Sequence, residues 1–152
     1  MDDEVREEVK ALWRQVDSGI LSTTSVAVPG YPFGSVVPYV TTSEGMPVIY
    51  ISDIAQHTKN LRADPRACLT IVEPDTDDKQ ANSRISLLGD GSVLEGEARE
   101  AVSELYFARF PMSRRFANTH GFSFWGLQPK RIRFIGGFGK IHWIEPHDWF
   151  SS

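Results

Sequence analysis

The chain has one cysteine, Cys68, which leaves no internal disulfide and no cysteine-based metal site. Flanked by Leu69, Ile71 and Val72, that thiol reads as a small core residue. Long hydrophobic runs are also missing, and none approaches the ~20 residues of a membrane-spanning helix. Basic charge is scarce. Lys and Arg total 16 against 20 Asp plus Glu, a net charge of −4, which argues against a protein that works mainly on nucleic-acid phosphates. There is no G-x-S-x-G elbow, no Walker loop and no H-E-x-x-H pair, so three common catalytic frameworks drop out. The four histidines, His57, His120, His142 and His147, are not spaced to put two ligands on one helical face, and no metal site is expected. The opening Met1-Asp2-Asp3-Glu4 is acidic where a secretory leader is basic and then apolar, so the expectation is a cytoplasmic protein.

What is present suits one globular domain over residues 1–152, with 41% hydrophobic and 24% charged residues. Val5, Val9, Leu12, Trp13 and Val16 fall on one stripe of a helix over 2–17. Thr23, Thr24, Val26 and Val28 mark a strand over 20–28, and Pro29-Gly30 and Pro32 a turn. Further strands are expected over 35–42 and 48–52, the latter apolar enough to be buried on both faces. A helix over 54–63 follows, with Asp53 as its cap and Asp64-Pro65 as its end. A strand over 68–73 leads to a polar, acidic loop over 74–83. Strands over 84–88 and 92–99 flank Gly89-Asp90-Gly91, which reads as a hairpin turn. A helix over 101–110, an irregular stretch over 111–121 and strands over 122–127, 131–135 and 140–144 complete the chain. Alternation at Ile132 and Phe134 favours antiparallel pairing and an α+β barrel.

Gly136-Gly137-Phe138-Gly139 superficially resembles a dinucleotide loop, but a strand follows where that fingerprint needs a helix. A bulge or tight bend between strands is the expected role. The chemistry-bearing stretch is Ser52-Asp53-Ile54-Ala55-Gln56-His57-Thr58-Lys59-Asn60. A buried strand ends there and a helix begins, so an anion would meet free N–H groups, the positive end of the helix dipole, a hydroxyl and an ammonium. A capped helix with a polar outer face fits the same residues. Pro38 belongs on an edge strand or bulge, which would leave backbone open to a ligand. Arg84 calls for an anionic or polar partner. Phe122, Phe124 and Trp125 suit either a core or the cover of a flat ring.

Taken in order, the run from Ser52 to Arg66, Glu73-Pro74-Asp75-Thr76-Asp77-Asp78, Arg84 to Gly89, Phe122 to Trp125 and Gly136 to Gly139 resembles the pyridoxamine 5′-phosphate oxidase superfamily. Within it, the chain is most similar to the haem-utilisation branch. The resemblance implies a six-stranded antiparallel split β-barrel with flanking helices, in a homodimer with FMN at the interface. It implies that Ser35, Val36 and Pro38, Ser52, and His57, Thr58, Lys59 and Asn60 hold the flavin phosphate. Arg84 would bond the ring or phosphate tail, and Phe122 and Trp125 would reach the ring from the partner subunit. The oxidase itself has Arg where this chain has Ser35. The implied activity is an FMN-dependent oxidoreduction of a small molecule, with no catalytic acid or base assigned. The alternative is a haem-binding or other ligand-binding dimer using the same cleft, without nucleic acid or membrane.

Overall fold

The computed structural model describes residues 1–74, 77, 82–116, 121–137 and 139–150. Helix α1 (Asp3–Gln15) is capped by the Asp2 carboxylate, which accepts from the Val5 N–H at 2.9 Å, and it buries Val5, Val9, Leu12 and Trp13 on the expected stripe. Strands β1 (Ser18–Thr24), β2 (Pro32–Pro38), β3 (Val40–Thr41) and β4 (Pro47–Ser52) follow, then α2 (Gln56–Ala63) and β5 (Arg66–Val72). Next come β6 (Arg84–Val93), α3 (Gly96–Arg109), a 3-10 turn (Pro111–Phe116), β7 (Phe122–Gly136), β8 (Lys140–Ile144) and α4 (Pro146–Trp149).

All eight strands join one antiparallel sheet in the order β2-β1-β5-β6-β7-β4-β3, with β8 paired to β7. Eight strands, not six, are therefore present among the described residues. The two ends of that path, β2 and β3, are separated in sequence by Tyr39 alone. The sheet must therefore curl until its ends meet at Tyr39, which makes it a half-closed barrel. Its inside holds Leu21, Leu69, Leu87, Ile132 and Ile144 in one row, and α1 plugs it with Trp13 against Tyr39 and Trp149. A second cluster, containing Tyr50, Tyr106, Phe107 and Phe124, lies between α3 and the outer side of β4 and β7. Val48 to Ile51 are buried on both faces, as their run of apolar residues implies.

Several boundaries differ from the sequence reading, each for a local reason. The hairpin expected at Gly89-Asp90-Gly91 does not form, because β6 runs straight through it to Val93. Gly89 is needed for close packing, since a Cβ there would stand 2.6 Å from the Gln128 carbonyl oxygen. The two strands expected over 122–127 and 131–135 are one strand, β7, and the β-bulge at Leu88/Gly89 lets Pro129 sit inside it. The strand expected over 92–99 gives way to α3, which starts at Gly96. The first strand stops at Thr24, and Ser25 to Tyr31 forms a turn closed by Ser25 N–H to the Tyr31 carbonyl at 2.7 Å. Cys68 is not in the core but on the outer face, its Sγ 3.6 Å from Thr70 Oγ1. The second and third glycines of Gly136-Gly137-Phe138-Gly139 serve the β7–β8 turn, with positive φ at Gly137 and Gly139. Most of the acidic loop and His120 lie outside the described residues.

Candidate functional site

Strand β2 is the edge of the sheet and pairs only with β1 among the described residues, and Pro38 is its last residue. That is where proline is tolerated, because it has no N–H for a second neighbour. Ser35 pairs with Leu21, so its side chain faces the barrel interior at the open margin. There it meets α2: Ser35 Oγ lies 3.0 Å from His57 Nδ1. Val36, the next residue, faces outward and is exposed.

The turn from β4 into α2 is built by Ser52, whose carbonyl accepts from the Ala55 N–H at 3.2 Å and whose Oγ accepts from the Ile54 N–H at 3.4 Å. Asp53 does not cap α2. Its carboxylate instead accepts from the Arg62 guanidinium, and its N–H donates to the Gly121 carbonyl at 2.8 Å. The N-cap is Ala55, with no side-chain hydrogen bond and no acidic residue in the first turn. The first N–H groups of α2 thus lack a capping side chain, a favourable setting for an anion or another acceptor. Lys59 adds an exposed ammonium two residues beyond His57. Burial holds the His57 imidazole below its ordinary pKa, so the ring is neutral at pH 7.

Two of the four α2 side chains expected at a flavin phosphate point the other way. Thr58 is fully buried. Asn60 is 1% exposed and ties α2 to the barrel: its Oδ1 accepts from the Val26 N–H and its Nδ2 donates to Thr23 Oγ1, both at 3.0 Å. Helical geometry explains this, since Thr58, Asn60 and Leu61 make up the inward face, His57 lies half-buried along it between Asn60 and Leu61, and Lys59 points away. A phosphate at this turn would meet His57, Lys59 and backbone only.

The remaining expected residues are dispersed. Arg84 is on β6, three strands from β2 and on the outer face. Its guanidinium approaches the Asn82 carbonyl at 3.5 Å. Trp125 is 4% exposed and belongs to the barrel core of its own chain. Phe122 is packed against Tyr50 and Phe116, with ring centroids 5.2 and 5.4 Å apart. Trp125 is thus buried within its own chain, and Phe122 is half-buried.

The sequence reading overlooked the outer sheet face. Register places Val36, Ile20, Thr70, Ser86, Arg133 and Trp143 in one row across six strands. Ile20, Val36, Val72, Ile141 and Trp143 on this face are 43, 69, 53, 56 and 46% exposed. Arg131 and Arg133 lie 4.5 and 4.9 Å from the Trp143 ring. The signal was available, because alternation that sends Ile132 and Phe134 inward sends Arg131 and Arg133 outward. These exposed apolar side chains, gathered on one face of an otherwise well-packed sheet, make that face a candidate interaction surface.

Comparison with known proteins adds family context. The family described as CREG, beta-barrel matches residues 3–151. "Non-canonical heme oxygenase HOZ, chloroplastic" of Arabidopsis thaliana is 33% identical over 131 residues, 86% of this chain and 40% of that protein. "Heme oxygenase HutZ" of Vibrio cholerae is 30% identical over 133 residues, 84% of this chain and 75% of the other. A solved heme binding protein from Mycobacterium smegmatis superposes with a TM-score of 0.89 at 28% identity, over 99% of this chain and 61% of its own. The chain thus spans about two fifths of the plant relative and three fifths of the mycobacterial one. A pyridoxinephosphate oxidase family protein from Clostridium acetobutylicum, at 13% identity and a TM-score of 0.71, shares the split-barrel fold alone. Among the described residues no helix is long and apolar enough to cross a membrane.

Proposed function

We propose, since the chain belongs to the CREG, beta-barrel family, that it binds haem where the edge strand β2 meets the first turn of α2. The observation that carries this reading is the Ser35–His57 corner. An open strand margin, an uncapped helix N-terminus, a neutral imidazole and an exposed ammonium are gathered at the rim of an apolar barrel. Haem is a flat apolar ring with two carboxylates, so it wants apolar surface, a cation or N–H donors, and a neutral nitrogen. Ile54, 82% exposed in the turn that leads into α2, supplies apolar surface, and Lys59 with the α2 N–H groups supplies the polar partners. Two relatives at 33 and 30% identity carry the name heme oxygenase, which supports the same choice of ligand. When bound, haem supplies the redox-active iron; this chain's residues supply binding and orientation.

FMN has less support, because Thr58 and Asn60 are turned inward and leave its dianionic phosphate fewer partners. The exposed outer face is assigned to a second copy of the chain, giving a homodimer. Titration of the purified protein with hemin, and in parallel with FMN, followed by absorbance and by sedimentation, tests the reading. A saturable Soret change at one hemin per chain on a dimer supports it. Saturable FMN binding without hemin binding overturns it.

A further inference from the structure

We infer that the cleft between the C-terminal end of α1 and the last turns of α3 is a second ligand site, which takes a small monocarboxylate with an apolar body. Its cavity of about 220 Å³ is lined by Trp13, Arg14, Tyr39, Thr41, Leu105 and Arg109 among others. Pockets for drug-sized ligands and cofactors start at about 300 Å³, so this one suits a single ring or a short branched chain and not haem.

The charge in the cleft has one sign. Arg14 and Arg109 both line it, and no carboxylate does. Arg14 is held over the Phe150 ring, 5.0 Å from its centroid. Among the described residues Arg109 is the one arginine whose guanidinium has no carboxylate, ring or carbonyl partner. Its charge still reaches the floor of the cleft: burial pushes the Tyr39 hydroxyl pKa up, and Arg109 pulls against that rise. A guanidinium fork matches a carboxylate with two parallel N–H bonds. A third donor stands beside the arginines. Thr41 Oγ1 accepts from Trp13 Nε1 at 2.8 Å, and its own O–H donates to nothing among the described residues. The carbonyl end of α1 would repel an anion, but it is partly occupied. The Leu12 carbonyl accepts from the Val16 N–H, and the Trp13 carbonyl accepts from the Tyr39 hydroxyl at 2.6 Å.

The rest of the lining is apolar and rigid. The Trp13 and Tyr39 rings meet at 5.0 Å with a 48° tilt. Leu105, 40% exposed, lies one helical turn before Arg109 on α3, so the two share a face. Val102, Tyr106 and Phe107 fix that helix on the second aromatic cluster. Inorganic phosphate would use the arginines and leave Trp13, Tyr39 and Leu105 against water. An apolar body on the carboxylate covers them, which decides the ligand class.

The test is independent of the haem reading and uses the isotopically labelled full chain at low ionic strength. Amide and indole N–H signals are followed during titration with sodium phenylacetate, and in parallel with phenylacetamide and inorganic phosphate. Phenylacetate should give saturable shifts at Thr41, Leu105, Arg109 and the Trp13 indole. Phenylacetamide, which lacks the charge, should bind about 10-fold more weakly, and phosphate should be weaker than phenylacetate. Arg109→Gln should weaken phenylacetate binding about 10-fold, with the unfolding midpoint unchanged because the side chain is exposed. Arg14→Gln should show a loss in the same direction. Equal binding of phenylacetate and phenylacetamide overturns the inference, as does phosphate binding as tightly as phenylacetate. An unchanged phenylacetate response in Arg109→Gln, or no saturable shift in the wild type, overturns it as well.

Discussion

Asn60 Oδ1 accepts the Val26 N–H at 3.0 Å across 34 residues of sequence. Its Nδ2 donates to Thr23 Oγ1, so a single buried amide ties α2 to β1 and to the turn over 25–31. Asn60→Ala would orphan a part-buried N–H and a buried hydroxyl, and should cost about 2 kcal/mol. Lys59→Ala, one residue away but exposed, should change stability by less than about 0.5 kcal/mol. Denaturant unfolding of the two variants checks the contrast. Equal effects would show that Asn60 does not anchor α2.

Thr58 carries a buried hydroxyl with no partner among the described residues. Thr58→Val has nearly the same shape and removes that unpaired group, so stability should be unchanged or gain about 1 kcal/mol. Hemin affinity should not move, because the side chain faces inward. A loss of affinity with unchanged stability would place Thr58 at the ligand instead.

Gly89 sits at a close approach of β6 to β7, 2.6 Å from a would-be Cβ to the Gln128 carbonyl oxygen and 3.1 Å to its carbon. Both contacts are backbone, so neither yields without moving a strand. Gly89→Ala should therefore destabilise by about 2 kcal/mol, read as a lowered unfolding midpoint. A neutral result would show that the bulge at Leu88/Gly89 is able to slip.

Asp64 accepts from the backbone N–H and the guanidinium of Arg66, with the shortest contact at 2.7 Å, and these bonds lower its pKa from 3.8 to about 2. A carboxylate depressed in the folded state binds fewer protons there than when unfolded. Its contribution is thus complete above about pH 4 and is lost as pH falls through about 2. Asp64→Asn should flatten the acid limb of the stability curve in that window and leave neutral pH nearly untouched, because the pair is exposed. An unchanged acid limb would remove the pair from the stability account.

How much of this was legible in the sequence depended on whether the signal was local. The stripe of Val5, Val9, Leu12 and Trp13 and the two-sided burial of Val48 to Ile51 came through, because helix and strand periods report burial directly. The long strands β6 and β7 did not. Gly89-Asp90-Gly91 looks like a turn by itself, and only the facing Gln128 carbonyl explains why glycine is required there. The site divided in the same way. Ser35 and His57 were both named, but their contact spans 22 residues and depends on the barrel curling β2 against α2. Asn60 carried the composition of a phosphate ligand, and only the position of the 25–31 turn reveals its structural task. Trp125 reads equally as a ring cover or a core residue until its depth in the barrel decides for the core.

The central claim is the place of the ligand, and paramagnetic broadening by ferric haem locates it most directly. In amide spectra of the isotopically labelled protein, substoichiometric hemin should first erase the signals of Gly34 to Val37 and Ala55 to Lys59. Amides of the cavity of about 220 Å³ lined by Trp13, Tyr39, Leu105 and Arg109 should persist. Broadening that begins at that cavity, or along the outer face near Trp143, while residues 34–37 and 55–59 stay sharp, would contradict the account.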